Sequence, residues 1–389
     1  MTADLRPVAI TMWDFSWLER RWPGAGYEDW DLVLDELVDR GYDAVRIDAY
    51  PHLVSADADK LWTLLPPWTQ NTWGAQSRID VQVQPALVDF IRKAGARGVK
   101  VGLSSWFRQD VDDLRMRISS PADMARIWVD TLRVLDDADV LEHVLFVDLC
   151  NEFPVPMWTP FLYGTGSGRG FRRTDRRIPA YMRESIDLVR AAYPVLSYTY
   201  SFGGQYDDCL EQDVTALDFL EPHLWMALDD VSDYYVKAGY SDYEQSSPVG
   251  YDNLAARGRE VYLAEQETWD GLLFDAVDAL ADWSRATGKA LVTTECWAVI
   301  DYKDWPGLDW DWVLDLNARA VERVLATGRW VGVATSNFCG PQFVGCWREV
   351  EYHQRLTRAI KGAAVDTDLI LPPALATLLT PNATTGAPR

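Results

Sequence analysis

The sequence predicts an α/β protein of the (β/α)8 barrel class, and three observations support this prediction. Short segments with the apolar, β-branched composition of strands buried on both faces alternate with amphipathic helical segments. Eight strands alternate with helices in this way, which is the number that a barrel needs. A length of 389 residues is one that such barrels commonly reach as one domain. We therefore predict a single barrel domain over residues 7–361, with extended loops at the carboxyl-terminal face.

The first half of the chain contains four of the predicted strands. They span residues 8–13, 44–47 and 99–104 and the start of the stretch 144–154, which reads VLFVDLCNEFP. The helices between them have apolar positions at helical spacing and span 28–40, 85–96 and 121–135. Gly41 closes the first of these helices, and Ser120 is a suitable N-cap for the third.

The second half repeats the alternation. The predicted strands are 195–202, a strand within 217–225, 290–297 and 330–334, and the predicted helices are 179–192, 269–287, 310–327 and 349–361. A long loop over 154–178 and a polar region over 229–259 interrupt the pattern, and we expect both at the barrel mouth. Residues 362–389 form a carboxyl-terminal extension that we expect to be partly disordered.

The composition narrows the possible partners. A net charge of −22 argues against nucleic acid and against anionic membranes, because both attract basic surfaces. This charge suits a neutral or cationic substrate. The chain has 19 Trp and 17 Tyr, which either stack on sugar rings or pack the core.

Cysteine, histidine and the amino terminus give expectations about chemistry and location. Five cysteines with no CxxC pair predict reduced, packed thiols. Four histidines without an HxH or HExxH motif predict no metal site, and no cofactor is expected. The amino terminus lacks a basic segment followed by an apolar core, and no apolar run reaches about 18 residues. We therefore expect a cytoplasmic protein.

Two predicted strands end in a glutamate. Glu152 follows the strand that begins at Val144, and Glu295 ends the strand in ALVTTECW. A single glutamate at a strand end is usually a solvated loop residue. Two of them at the mouth of one barrel provide a proton donor and a nucleophile or base, which are the groups that a glycosidase needs.

The Asn151-Glu152 pair after one strand and the lone Glu295 after a later one resemble clan A of the glycoside hydrolases. Within this clan, the chain is most similar to the cellulase-like branch of the family five type. The resemblance implies a retaining (β/α)8 barrel, with the acid/base after strand four and the nucleophile after strand seven. Glu152 would then be the acid/base and Glu295 the nucleophile, whereas the residues alone allow either order.

The resemblance also implies roles in substrate binding. Asn151 would contact the sugar 2-hydroxyl, and Arg46 would orient the nucleophile, although an ordinary barrel ion pair is the alternative. His223 and Trp225 occupy the place of a family His-x-Tyr motif, and a buried structural role for His223 stays open. The remaining candidates are Trp13, Trp106 and Trp297 as stacking walls and Asp48, Asn337 and Phe338 at strand ends.

Two departures from the family pattern leave the sugar undefined. Ser104, Ser105 and Trp106 stand where many members carry a histidine, and Asn337-Phe338 stands where many carry a tryptophan. In the retaining mechanism we expect Arg46 to lower the pKa of Glu295 and the neighbouring negative charge to keep Glu152 protonated.

The segment 164–177 is rich in glycine and arginine, and we expect it to form a flap over the site. Its glycine spacing matches no Walker pattern, so phosphate binding is not expected. The arginines of this flap are either solvated charges or a grip for an anionic substrate group: Arg169, Arg172, Arg173, Arg176 and Arg177.

Taken together, these observations predict a monomeric or small homo-oligomeric β-glycoside hydrolase that acts on short oligosaccharides or glycosides. A metal-dependent barrel hydrolase is the first alternative and is disfavoured by the scattered histidines. A non-catalytic carbohydrate-binding barrel is the second, and it would normally have lost one of the two glutamates.

Overall fold

The computed structural model describes residues 5–68, 72–163, 170–227, 233–240, 247–372 and 375–377. Within them the predicted (β/α)8 barrel is confirmed, with parallel strands forming the inner wall. These strands, numbered one to eight below, are Val8–Asp14, Ala44–Asp48, Lys100–Ser104, Val144–Asp148, Tyr198–Thr199 with Phe202–Gly203, Pro222–Trp225, Leu291–Thr293 with Cys296–Trp297, and Trp330–Val333.

The division of strands five and seven into two segments lets the wall close. Strand one lies between strands two and eight, and the order continues through strands three and four to the first segment of strand five. The second segment of strand five pairs with strand six, which pairs with the second segment of strand seven. The first segment of strand seven pairs with strand eight. Every barrel strand therefore has two parallel neighbours.

The longer helices match the predicted ones to within about one turn at each end. They are Trp30–Asp39, Val83–Ala96, Pro121–Asp137, Arg177–Ala192, Gln266–Thr287, Asp311–Ala326 and Val350–Gly362. Capping follows the sequence signals. The Ser120 side chain accepts from the backbone N–H of Asp123, and Pro121 occupies the first turn of the same helix.

Two elements were missed by sequence reasoning. Strands Leu61–Leu64 and Ile79–Gln82 form an antiparallel hairpin, and helix Pro248–Ala264 lies in the polar region where no clear element was expected. The apolar periodicity of this helix is weak because Gly258 occupies a buried position where an apolar side chain would be expected. A Cβ there would lie 2.9 Å from the Tyr234 hydroxyl, which donates to the Gly258 carbonyl at 2.8 Å.

Shorter helices connect the barrel elements. They are Ser16–Glu19, Pro51–Ala56, Pro160–Tyr163, Tyr234–Ala238 and Val344–Trp347.

The chain after the last helix covers the end of the barrel opposite the mouth. Leu375 packs into the apolar layer at that end, and Ile370 forms a parallel bridge with Lys289. The buried guanidinium of Arg329 is paired there with Asp366 at 3.3 Å. The boundary at residue 361 stays a prediction, and the disorder expected near the terminus falls on residues 378–389, outside those described.

All five cysteines are free and buried, as the spacing predicted. In the part of the chain that the structure describes, no helix combines the length and the apolar composition that spanning a bilayer requires.

Candidate active site

Two carboxylates face each other at the carboxyl-terminal mouth of the barrel. Glu152 follows strand four in a left-handed backbone conformation with a φ of 46°, and Glu295 lies between the two segments of strand seven. Both side chains line one pocket. One carboxylate oxygen of each and a ring nitrogen of His223 all lie within 4.8 Å of one another. The structure therefore brings the two predicted glutamates together.

Arg46 fixes the position of Glu295 from strand two. Its guanidinium is fully buried, and Nη1 lies 3.0 Å from Oε1 of Glu295. Nη2 donates to Oδ2 of Asp148 at 2.5 Å and to Oδ1 of Asn151 at 2.7 Å. The Trp106 ring lies against the guanidinium at 4.6 Å. Because a planar guanidinium held by several acceptors cannot rotate, Arg46 fixes the position of the Glu295 carboxylate.

His223 bridges the two glutamates from strand six. Its Nδ1 lies 3.0 Å from Oε1 of Glu152 and 3.6 Å from Oε2 of Glu295. Burial alone would lower the pKa of this imidazole, but the two carboxylates outweigh burial and raise its pKa above the ordinary value. His223 therefore holds its proton more strongly than an exposed histidine does.

The pKa directions of the two glutamates are opposite to those expected from the sequence. Burial raises the pKa of Glu152, but the hydrogen bond and charge of His223 outweigh burial, and the net effect lowers this pKa. For Glu295, burial outweighs the opposing charges of His223 and Arg46, and the pKa is raised. Sequence pattern does not show that His223 lies closer to Glu152 than to Glu295. Of the two glutamates, Glu295 therefore has the higher pKa.

A further buried acid, which sequence reasoning missed, stands beside Arg46. Glu221 is fully buried, accepts from Oγ1 of Thr294 at 2.6 Å and lies 3.4 Å from Nε of Arg46. Burial raises its pKa to about 7. Its spacing of two from His223 is the signal that could have placed both side chains on the inner face of strand six.

The pocket above the glutamates has a volume of about 260 Å³. Five aromatic side chains form much of its wall: Phe15, Trp68, Trp73, Trp106 and Trp158. They contact one another through ring edges and faces, with centroid distances of 5.9 Å for Phe15–Trp106 and 6.1 Å for Trp68–Trp158. The polar lining beyond the glutamates consists of Asp14, Tyr235, Asp301 and Lys303.

Of the three tryptophans predicted as stacking walls, only Trp106 lines the pocket. Trp13 and Trp297 are fully buried, and their indole nitrogens donate to backbone carbonyls. Trp13 packs against Phe90 of an outer helix, behind the strand wall. A wall role does not fit these two positions, because their rings lie in the core and are closed to a ligand.

The other predicted contacts lie near the pocket without lining it. Asp48 accepts from the backbone N–H of Trp106 at 3.0 Å and so holds that wall residue in place. Trp225 is buried on strand six, and Phe338 packs in the core. Asn337 is buried behind the lining, and its amide has no hydrogen-bond partner among the described residues.

Three neighbours determine the position of Glu152. Its backbone N–H donates to Oγ of Ser201 at 2.9 Å, and the Trp158 indole N–H donates to Oε2 at 3.2 Å. Gly203 leaves the space that the carboxylate occupies, because a Cβ at this glycine would lie 2.6 Å from Oε1.

The arginines of the predicted flap serve the fold where the structure describes them. Arg172 is paired with Asp208 at 2.6 Å, and Arg177 is paired with Asp175 at 2.6 Å. Arg173 is buried and donates to the carbonyl of Phe153, next to the acidic site. These contacts do not favour an anion grip. Residues 164–169, including Arg169, lie outside the described chain, and the flap itself stays a prediction.

The site could in principle hold a cation. Glu152, His223 and Glu295 are the group of potential metal-ligating side chains found among the described residues. The same three groups suit direct proton transfer, because two carboxylates share one imidazole.

A (β/α)8 barrel with two carboxylates at its mouth is the architecture of many retaining and inverting glycosidases. A comparison with protein families identifies the family to which the chain belongs. A family model described as sugar-binding cellulase-like matches residues 10–361. The chain therefore belongs to the cellulase-like family, as the sequence resemblance predicted, and the family and fold support glycoside hydrolase activity.

One solved structure supports this assignment. A candidate glycoside hydrolase from Parabacteroides distasonis is 45% identical, with a TM-score of 0.90, and the match covers 97% of this chain and 99% of that one. Cel5A of Thermotoga maritima, solved with mannotriose, is 13% identical with a TM-score of 0.48 over 90% of this chain and 97% of that one. This second likeness is too distant to carry an argument about substrate. No curated protein matches the chain.

Proposed function

We propose that the protein is a retaining β-glycoside hydrolase, with Glu295 as the nucleophile and Glu152 as the general acid/base. The proximity of the two carboxylates carries this proposal, because one oxygen of each lies within the 4.8 Å cluster with His223. Retaining enzymes hold their carboxyl groups about 5–5.5 Å apart, whereas inverting enzymes need about 6.5–9.5 Å to admit a water. The short separation supports direct attack by a carboxylate.

In the first step, a carboxylate oxygen of Glu295 bonds to the anomeric carbon while the glycosidic bond breaks and Glu152 protonates the departing oxygen. In the second step, Glu152 takes a proton from water, whose oxygen replaces Glu295 at the anomeric carbon. Both carboxyl groups return to their starting state. The product keeps its configuration because the carbon is inverted twice.

Arg46 and His223 would act through the two glutamates. Arg46 presents Glu295 in one orientation and stabilises its negative charge. His223 lies 3.0 Å from Glu152, so a proton on the imidazole can pass to Glu152, which delivers it to the leaving group. Arg46 keeps Glu295 ionised for the attack. On this proposal His223 is a positioning residue that sets the protonation of both carboxyls.

The pocket supports a short substrate. Its volume of about 260 Å³ lies just below the range for small-ligand sites, which is about 300–1,000 Å³. Such a space suits one or two sugar rings against the aromatic wall. We include in this proposal short imported or internal glycosides as substrates, a cytoplasmic location and a monomer or small homo-oligomer. Strong activity on insoluble polysaccharide would contradict the substrate size.

Chemical rescue tests the division of labour. Glu295→Ala is expected to lose nearly all activity on every 4-nitrophenyl β-glycoside, because no covalent intermediate can form. Glu152→Ala is expected to retain the first step with this activated leaving group and to regain turnover in azide, giving a glycosyl azide of retained configuration. Glu322→Gln on an outer helix is the control, since this exposed side chain is far from the pocket. Binding of sugars by wild-type protein without any hydrolysis would instead support the non-catalytic barrel.

A further inference from the structure

Asp14 at the end of strand one is a buried acid that lines the pocket. Its side chain is 2% exposed, and its Oδ1 accepts from the backbone N–H of Ser16. Its Oδ2 has no hydrogen-bond partner, and the side chain forms no ion pair with any residue that the structure describes. Asp14 therefore lines the same space that Glu152 and Glu295 face, and it has one carboxyl oxygen without a partner among the described residues.

The other buried acids around the mouth are differently placed. Both oxygens of Glu19 are occupied, by Arg108 and by backbone and hydroxyl donors, and both oxygens of Asp148 accept hydrogen bonds. Glu221 keeps one oxygen unpaired, but it lies beneath the pocket lining. An unpaired buried carboxyl oxygen costs free energy, and groups of this kind persist mainly where function uses them.

The backbone at Asp14 has the features of a position adapted for function. Its φ of 40° is in the left-handed region, which non-glycine residues seldom adopt. The register of strand one against strand two also shifts between Met12 and Asp14. Irregularities of this kind next to a site redirect a side chain at some cost in stability.

The charges of the pocket indicate what kind of sugar can reach Asp14. Four acids line it, Asp14, Glu152, Glu295 and Asp301, against one described cation, Lys303. Lys303 is not available for an anionic group, because it is paired with Asp301 at 2.8 Å and lies against the Trp73 ring. A carboxylated or sulfated ring would therefore find no free cation among the described residues that line the pocket.

We propose that Asp14 is a specificity-determining residue, which accepts a hydrogen bond from one hydroxyl of an uncharged sugar ring seated beside Glu152 and Glu295. This inference rests on the proposed function, since it concerns the same pocket and the same bound sugar. Burial also raises the pKa of Asp14 well above its ordinary value.

A combined series of enzyme variants and substrates tests this contact. The 4-nitrophenyl β-glycosides of glucose, galactose, mannose and xylose identify the best ring, and its monodeoxy analogues then remove one hydroxyl at a time. In the wild type, loss of the contacted hydroxyl is expected to lower kcat/KM by roughly ten- to a hundred-fold. In Asp14→Ala the same loss is expected to change kcat/KM by less than about two-fold, because the partner is already gone.

Two further variants separate contact from folding. Asp14→Asn keeps an acceptor for Ser16, and asparagine also tolerates the left-handed backbone, so this variant should fold even if Asp14→Ala does not. It is expected to shift the ranking of the deoxy substrates. Asp43→Asn is the matched control, because Asp43 likewise accepts from a backbone N–H, of Ala9, at the opposite end of the barrel. Its ranking of the substrates should equal that of the wild type.

The outcomes distinguish this inference from the proposed function. If both Asp14 variants lower kcat/KM for all substrates by one common factor, Asp14 has only a structural role and the inference is overturned. The proposed hydrolase activity would then still stand. Calorimetry of the binding of free monosaccharides and their deoxy forms tests the inference when the wild type shows no hydrolysis. If the wild type hydrolyses nothing but binds these sugars with the Asp14-dependent pattern, the inference stands and the hydrolase proposal fails. A preference for glucuronide over glucoside would also overturn the inference.

Discussion

Replacement of Glu221 by glutamine isolates the cost of a buried carboxyl next to Arg46. Burial raises the pKa of Glu221 from its ordinary 4.5 to about 7. Between these pH values the folded protein binds more protons at this site than the unfolded chain, so the free energy of unfolding falls as pH rises. At about 1.4 kcal/mol per pKa unit, the loss accumulates to about 3 kcal/mol above pH 7. Glutamine has no proton to lose and avoids this decline.

The prediction concerns a difference between two pH profiles. Urea unfolding followed by tryptophan fluorescence at pH 5, 6, 7 and 8 should show the wild type losing up to about 3 kcal/mol relative to Glu221→Gln over this range. Asp48, whose pKa burial also raises to about 7, titrates in both proteins and cancels in the difference. Glu322→Gln serves as the control for replacing an exposed glutamate.

Parallel profiles, with a constant difference between wild type and Glu221→Gln, would refute the reasoning about Glu221. The variant should also remain active at pH 6 and keep its activity to higher pH than the wild type. The reason is that the neutral amide reproduces the protonated carboxyl, and no new negative charge competes with Glu295 for Arg46. Loss of all activity at pH 6 would show that the negative charge itself is needed.

Three further variants test the surroundings of the glutamates. Gly203→Ala should lower kcat at least about ten-fold with little change in Tm, because the added methyl displaces Oε1 of Glu152. An unchanged kcat would contradict the fixed position of this carboxylate. Arg46→Lys should lower kcat/KM, and it should lower the free energy of unfolding by about 3–5 kcal/mol, because lysine cannot replace the planar guanidinium among buried carboxylates. A near-normal urea midpoint would contradict this loss of stability. Trp158→Phe removes a hydrogen bond that lowers the pKa of Glu152, so the basic limb of the kcat profile, which reports loss of the proton from the general acid, should move to higher pH.

The sequence predicted the barrel because its strands are buried on both faces and therefore appear as continuous apolar runs. Glu152 and Glu295 were found for the same reason, since each interrupts such a run at its end. Helix Pro248–Ala264 was missed because Gly258 removes an apolar position where Tyr234 approaches the helix. The local sequence pattern contains no information about a side chain from another part of the chain that packs against the helix.

The pocket wall was predictable only in part. Trp13 lies near the end of one strand and Trp106 follows another. The choice between core and pocket depends on the local register and on what packs behind each ring, which the sequence does not show. Trp158 and Trp68 come from loops, where no periodicity applies. The direction of the pKa of Glu152 was wrong for a similar reason, because the distance of His223 is a tertiary property.

Trapping of the covalent intermediate tests most directly whether Glu295 is the nucleophile. The wild type is incubated with a 2-deoxy-2-fluoro-β-glycosyl fluoride of the best sugar, which slows both steps but leaves the reactive fluoride to depart without an acid. Mass spectrometry of the intact chain should show the addition of one fluorosugar, and peptide mapping should place it on Glu295. A label on Glu152, or no label together with a first-formed product of inverted configuration in proton NMR, would contradict the retaining mechanism proposed for this pair.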